Sequence, residues 1–427
     1  MRAEIITIGD ELLIGQVVDT NSAWMAQQLN EMGISLHQIT SVHDDREHIL
    51  TALDEAFSRA DIVLTTGGLG PTKDDITKHV MCEYFGTQLV EDACVRTHIH
   101  ELYKERPEAI NRLTATQWLV PESARILPNR VGSAPIMVFE KKLKFLIAMP
   151  GVPHEMKIAM TEQVLPYLQS KVKCQMSKVC DSQHLTLDIR QIIHKTILVH
   201  GIPESKLAIL IEDWEKTLPS SIHLAYLPKD GLIRLRLSAY GNASDSDIQS
   251  YIDTLLPLIS DYILATEDIA PEVLLGQLLR QQEATIATAE SCTGGRLAAA
   301  LNAQSGASAY YMGSVVAYDN SVKTSILGVS QKMLDTDGAV SESTVCQMAE
   351  GVRRLLHVDY AIATSGIAGP TGGTPDKPVG TVWIAWATPE ATEAQCFHFG
   401  AAREREQITI RAVTEALVKM IKLLNCK

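Results

Sequence analysis

The stretch Thr285–Leu301, TIATAESCTGGRLAAAL, sets the reading of the fold. Its first residues read as a buried strand. Gly294 and Gly295 then lead into Arg296-Leu297-Ala298-Ala299-Ala300-Leu301, a run of strong helix formers. Ser291, Cys292 and Thr293 therefore stand at a strand-to-helix turn. Amides at a helix start have no partner within the helix, so such a turn suits an anion or an oxyanion. A hydroxyl or thiol placed there is well sited for attack on a carbonyl. The plainer reading is a Ser or Thr that only caps the helix.

The same grammar recurs on both sides of this stretch. Asp359–Thr364 (DYAIAT) reads as a second buried strand, and Ser365-Gly366-Ile367-Ala368-Gly369-Pro370-Thr371-Gly372-Gly373 follows it. Loops after parallel strands are where α/β sheets bind ligands. Val379–Ala387 (VGTVWIAWA) predicts another strand, with Trp383 and Trp386 packing rather than stacking on a ligand. Near the N-terminus, Glu4–Gly9, Asp61–Thr66 and Lys144–Met149 read as strands, and Thr20–Met32 has helical spacing. In this N-terminal part, apolar strands alternating with amphipathic helices predict a mainly parallel sheet with helices on both faces. The fold class is thus α/β and multidomain: an N-terminal α/β domain over 1–170, a small α+β module over 171–264, and a C-terminal α/β domain over 271–427. In the middle module, HLTLDIRQIIHKTI and LIRLRLSAYG bracket a helical stretch. Ile233, Leu235 and Leu237 share one strand face there, and Arg234 and Arg236 the solvated other. Pro271 sits where a helix would begin.

Composition narrows the function. The formal charge is −13, which argues against a protein that coats nucleic acid with a basic face. The eight cysteines, at 82, 94, 174, 180, 292, 346, 396 and 426, are dispersed and form no CxxC pair. Dispersed thiols in a long chain read as reduced and cytoplasmic. Asp10 and Glu11 interrupt the first apolar run, so no signal peptide is expected, and no apolar run is long enough to span a membrane.

A nucleophile at the Ser291 turn needs a base. His357 follows Leu355-Leu356 near a helix end, and His398 lies in no glycine-rich turn. Lys323, in Ala317-Tyr318-Asp319-Asn320-Ser321-Val322-Lys323, is the better candidate. Burial lowers a lysine pKa toward the working range, whereas an exposed lysine has no such role. In the N-terminal half, Thr65–Thr77 (TTGGLGPTKDDIT) places Gly67, Gly68 and Gly70 where their amides would approach a phosphate. Thr72 adds a hydroxyl, and Asp74 and Asp75 have the oxygen chemistry that a hard divalent cation takes. The competing reading is an acidic first helical turn.

The motifs AESCTGG, YDNSVK, GAVSE and SGIAGPTGG with KPVGTVW resemble the nicotinamide mononucleotide deamidase family, found as the C-terminal domain of CinA-type proteins. The resemblance implies a Ser/Lys amidohydrolase pair, carried here by Ser291 and Lys323. It implies substrate contacts from Tyr318, from Thr293, Gly294 and Gly295, and from Ser365 and Gly366. It also implies an arginine before the last helix, Arg403 or Arg405, with the count back from Ala416-Leu417 favouring Arg405. Oxyanion donors are expected near Thr293–Gly295, and no metal is expected in this step. A competing assignment makes Cys292 the nucleophile, with Glu290 and Lys323 as partners.

TIGDELLIGQVVDTN, TTGGLGPTKDD and MPGVPHEM resemble the molybdopterin-binding fold at the N-terminus of the same proteins. That resemblance implies a metal-dependent ADP-ribose pyrophosphatase. Asp10, Asp74 and Asp75 would then be metal candidates for Mg, Mn or Co, with Glu155 weaker, and Gly67, Gly68, Gly70 and Thr72 phosphate contacts. The alternative is a protein that binds a nucleotide or pterin without N-terminal turnover and supports assembly or competence. Small nucleotides are the expected partners, with a homodimer implied by the resemblance and neither nucleic acid nor membrane expected.

Overall fold

The computed structural model describes residues 1–72, 74–141, 144–171, 193–239 and 244–425. The segment HLTLDIRQII, at 184–193, lies almost wholly outside them, as do Cys174, Cys180 and Cys426. The chain divides into two compact units. In the first, β1 (Arg2–Ile8), β2 (Ser35–Val42), β3 (Ile62–Thr66), β6 (Arg125–Leu127), β7 (Ile136–Lys141) and β8 (Lys144–Met149) form one sheet ordered β2-β1-β3-β8-β7-β6. A separate ribbon joins β4 (Leu89–Glu91) to β5 (Leu119–Pro121). The sheet is parallel from β2 to β8, and β7 and β6 pair antiparallel. Continuous apolar runs such as IVLTT are buried at every position because both sheet faces are covered. One face packs on the helix Thr20–Glu31, through Met25 and Leu29, and the other on Arg46–Arg59, through Ile49 and Leu53.

The second unit holds two sheets. The middle module pairs β9 (Ile193–His200), β10 (Ile222–Lys229), β11 (Leu232–Ala239) and β12 (Ile263–Ala265) in the order β10-β11-β9-β12. Ile233, Leu235 and Leu237 of β11 are buried, while Arg234 pairs with Asp268 at 2.8 Å on the wetter face. The C-terminal sheet runs β14 (Tyr311–Val316), β13 (Ile286–Glu290), β15 (Tyr360–Gly366), β16 (Thr381–Ala387), β17 (Thr392–His398). β14, β13 and β15 are parallel and the last two strands antiparallel. The N-terminal sheet is therefore mainly parallel, as its pattern predicts, with an antiparallel edge, and the C-terminal sheet is evenly mixed. Periodicity reports burial and says nothing of strand direction.

The helix Glu342–Leu356 covers one face of the C-terminal sheet through Val345, Met348 and Val352. The helices Pro271–Gln281 and Arg405–Asn425 cover the other. Leu198, Leu232 and Leu264 of the middle module join this second core. Trp386 is fully buried and donates its Nε1–H to the Ala416 carbonyl at 2.8 Å, so it is core, while Trp383 packs half-buried on the other face. No helix among the described residues is long and apolar enough to cross a membrane.

Candidate functional site

The C-terminal site is built where β13 and β15 end side by side. Glu290 pairs with Thr364, and the Ser291 amide donates to the Thr364 carbonyl at 2.9 Å. The chain then turns through Gly294 (φ 60°) and Gly295 (φ 96°), left-handed backbone that glycine adopts without strain. The helix Arg296–Asn302 follows at once.

Glu290 is fully buried and its carboxylate organises this turn. It accepts from the Thr293 hydroxyl at 2.7 Å and from the amides of Gly295 (3.0 Å), Leu297 (3.1 Å) and Ala298 (2.7 Å). Thr293 also meets the Thr364 hydroxyl at 2.7 Å. The Gly294 amide donates to the Ser291 carbonyl and the Arg296 amide to that of Thr293. The free amides that the sequence places at Gly294 and Gly295 are thus already bonded. Those of Cys292 and Thr293 have no carbonyl or carboxylate acceptor among the described residues.

Ser291 is 9% exposed, and its hydroxyl has no bonded partner among the described residues while not being sealed from solvent. Lys323 lies in the short helix Asn320–Ser325 and is 1% exposed. Its Nζ donates to the Tyr318 carbonyl at 3.0 Å; no hydrogen bond joins it to Ser291. Burial lowers the Lys323 pKa, against the pull of Asp319 and of Cys292 close by. The Cys292 thiol is pushed up to about 12 by burial, with the Glu290 charge adding and Arg405 opposing. A thiol held neutral is a poor nucleophile, and a Glu290 carboxylate with five donors, Thr288 among them, is no free base. These two facts count against the Cys292 assignment.

Tyr318 is exposed, with its ring free and its carbonyl on Lys323. Ser365 is buried on β15 and donates to the Ala339 carbonyl at 2.6 Å, which ties the GAVSE segment to the strand end. A Cβ on Gly366 would stand 2.8 Å from the Thr381 carbonyl oxygen. Arg405 begins the last helix and donates to the Gly369 carbonyl at 2.9 Å, on the glycine-rich loop. Arg403 instead donates to the Phe399 carbonyl. His357 ends its helix in a left-handed conformation (φ 52°), and His398 meets Thr381 and Cys396 on β17.

In the first unit a cleft of about 420 Å³ opens at the carboxyl ends of β1 and β3. Gly67, Gly68 and Gly70 line it, with Glu11, Asn21, Asp44 and Asp75. A Cβ on Gly67 would stand 1.9 Å from the Ile8 carbonyl oxygen, so this crossing requires glycine. Of the expected phosphate donors, most are engaged. Asp75 accepts from the amides of Gly70 (2.7 Å) and Thr72 (2.9 Å) and from the Thr72 hydroxyl (2.6 Å), and the Gly67 amide donates to Met149. Only the Gly68 amide of the four positions is left without an acceptor among the described residues.

The expected metal set is not assembled either. Asp10 Oδ1 is bonded to His43 Nδ1 at 2.8 Å and to the Asp44 amide, Asp75 closes its own loop, and exposed Asp74 does not line the cleft. No three His, Cys, Asp or Glu side chains among the described residues stand close enough to share an ion. Glu155 is bonded to Asn129 outside the cleft. Sequence reasoning passed over two cleft residues. Asn21 is 9% exposed; its Nδ2 donates to the Gly151 carbonyl at 2.7 Å, and its Oδ1 is sealed without a partner. Asp44 Oδ1 is likewise unpaired, and burial with the Asp10, Glu11 and Asp75 charges raises its pKa from 3.8 to about 6. Asp44 follows a parallel strand directly, a position that could have drawn notice.

Three family descriptions match along the chain. Residues 4–170 match "Probable molybdopterin binding domain", 194–263 "Damage-inducible protein CinA KH domain" and 269–424 "CinA C-terminal domain". A CinA-like protein of Flavobacterium psychrophilum is 43% identical over 99% of this chain and 98% of its own. The chain belongs to the CinA-like family. A putative competence-damage inducible protein of Thermoanaerobacter pseudethanolicus is 37% identical over 98% of this chain and 97% of its own. Among solved structures, the competence damage-inducible protein A of Klebsiella pneumoniae is 39% identical over 36% of this chain and 95% of its own, with a TM-score of 0.35.

Proposed function

We propose that the C-terminal domain of this CinA-like chain is an amidohydrolase that converts nicotinamide mononucleotide to nicotinate mononucleotide and ammonia. The carrying observation is the pairing of an accessible, unbonded Ser291 hydroxyl with a buried lysine beside the same turn. Lys323, neutral in part because burial disfavours its charge, takes the Ser291 proton. Ser291 Oγ bonds to the carboxamide carbon, and the carbonyl π pair moves to oxygen. The C–N bond then breaks as Lys323 returns the proton to nitrogen, and ammonia leaves. Water, deprotonated by Lys323, hydrolyses the acyl-enzyme. We assign substrate charge to Arg405, which donates to the glycine-rich loop at Gly369, and the pyridinium to the exposed Tyr318 ring.

Ammonia release from nicotinamide mononucleotide tests this reading. Ser291→Ala and Lys323→Ala should each lose about 1,000-fold or more in kcat, with Cys292→Ala largely active. No ammonia from the wild type would sink it. A homodimer in the cytoplasm completes the proposal; sedimentation of the full chain tests the dimer.

For the N-terminal unit we propose binding of a nucleotide- or pterin-sized molecule without turnover. Support comes from the cleft, which the glycine-rich turn, Asn21 and Asp44 line, and from the protein donors that Asp10 and Asp75 already accept from. Release of AMP from ADP-ribose with Mg²⁺, Mn²⁺ or Co²⁺ would overturn this and restore the pyrophosphatase.

A further inference from the structure

The most heavily bonded group near the C-terminal turn has no part in the mechanism above. Glu290 is a fully buried carboxylate immediately before the nucleophile, and five donors converge on it: three amides and the hydroxyls of Thr293 and, at 3.4 Å, Thr288. A buried carboxylate is costly unless its lone pairs are filled and a positive field surrounds it. Here the start of the helix Arg296–Asn302 supplies both, through three amides. The consequence is selective. The amides of Gly295, Leu297 and Ala298 point inward to Glu290 and are withdrawn from any ligand. Those of Cys292 and Thr293, on the turn that carries Ser291, meet no carbonyl or carboxylate among the described residues, and the Cys292 amide touches only its own thiol.

We propose that Glu290 is a positioning residue for amide hydrolysis: it is the internal anion on which the nucleophile turn is folded, and it leaves the Cys292 and Thr293 amides as the oxyanion donors. The proposal rests on the amidohydrolase reading and changes it in one respect. The donors expected at Gly294 and Gly295 are replaced, and the helix start binds the protein's own carboxylate rather than a substrate phosphate. Thr293 extends the device. Its hydroxyl bridges Glu290 to Thr364, so the turn is tied to the end of β15 as well as to its own helix.

The experiment uses the full chain with three variants. Glu290→Gln keeps the shape but replaces one acceptor oxygen by a donor. Glu290→Asp keeps the charge but shortens the reach. Thr293→Val removes only the bridge. The first readout is hydrogen exchange of the Gly295, Leu297 and Ala298 amides, which needs no substrate. In Glu290→Gln their protection should fall by at least tenfold while amides of β13 and β15 keep theirs. The second is turnover of nicotinamide mononucleotide beside its thioamide analogue, whose sulfur is a weaker acceptor. Losing one oxyanion donor costs roughly 100- to 1,000-fold in kcat. Glu290→Gln should show a kcat loss of that order, KM within about threefold, and a reduced oxygen-over-sulfur preference; Glu290→Asp and Thr293→Val should fall between. A structural cap alone would lower the amount of folded enzyme without moving the oxygen-to-sulfur ratio. Unchanged protection, or an unchanged ratio in active variants, overturns the positioning role. Lowered protection in Glu290→Gln beside a wild type that releases no ammonia leaves the folded turn but overturns its catalytic use, and with it the amidohydrolase reading. If Glu290→Gln does not fold, Thr293→Val carries the same comparison.

Discussion

Replacing Asp44 by asparagine should stabilise the N-terminal unit at neutral pH and do nothing for it in acid. Asp44 lines the cleft, its Oδ1 has no partner, and Asp10, Glu11 and Asp75 add repulsion. Burial and these charges raise its pKa from 3.8 to about 6. At 1.36 kcal/mol per pKa unit that rise corresponds to about 3 kcal/mol against the charged form in the folded state. The side chain is partly open to water, and screening brings the figure to about 1–2 kcal/mol. The sign follows from proton counts. Between pH 3.8 and 6 the folded state binds more protons than the unfolded, so wild-type stability rises as pH falls through this window. The cost is full above pH 6 and absent below 3.8. The assay is native-state hydrogen exchange on β1 and β3 amides of the full chain, which reads the N-terminal unit by itself. Protection in Asp44→Asn should exceed wild type by roughly 5- to 30-fold at pH 7.5. The gap should close toward pH 4. Equal or lower protection at pH 7.5 would refute the claim that this carboxylate is held against its own preference.

Three further outcomes follow from the second unit. kcat/KM for ammonia release should rise with pH as Lys323 loses its proton, with a midpoint below the ordinary 10.5; Asp319→Asn keeps a helix cap but removes a charge that raises this pKa, so the midpoint should move to lower pH. Arg405→Met should raise KM for nicotinamide mononucleotide by about tenfold or more, the usual worth of a charged hydrogen bond, and Arg403→Met should leave KM within about twofold. Trp386→Ala removes a fully buried indole and its bond to Ala416, and chemical denaturation should show a loss of about 3–5 kcal/mol in the second unit.

Asp44 also shows what a sequence holds back. Strand and helix placement was legible because it depends on local pattern: DIVLTT, KFLIAM and DYAIAT are apolar runs too short for helices, and each is a buried strand. The turn at Ser291 was legible for the same reason, since two glycines and a helix-forming run lie next to each other in the chain. Strand direction was not, because β7 and β16 carry the same apolar signal whether parallel or antiparallel. Nor were the partners of the polar groups. Asp75 reads as a metal ligand and Glu290 as a partner of Cys292, yet Asp75 accepts from amides three and five residues back and Glu290 from amides five to eight residues further on.

These two carboxylates show the same economy in separate units. A glycine-rich turn after a parallel strand frees a set of backbone donors, and bare donors in a narrow space would attract any anion. Asp75 in one unit and Glu290 in the other occupy most of them from within. What stays open is narrow in each case: the Gly68 amide beside Asn21 and Asp44, and the Cys292 and Thr293 amides beside Ser291. The internal carboxylate therefore limits the chemistry of each turn more than the glycines do. The N-terminal cleft is left with the one Gly68 amide, whereas an acyl group at the C-terminal turn meets two donors and a hydroxyl. Removing the negative charge of Asp75 or Glu290 would release amides and widen what each turn binds, at the cost of the geometry that makes it selective.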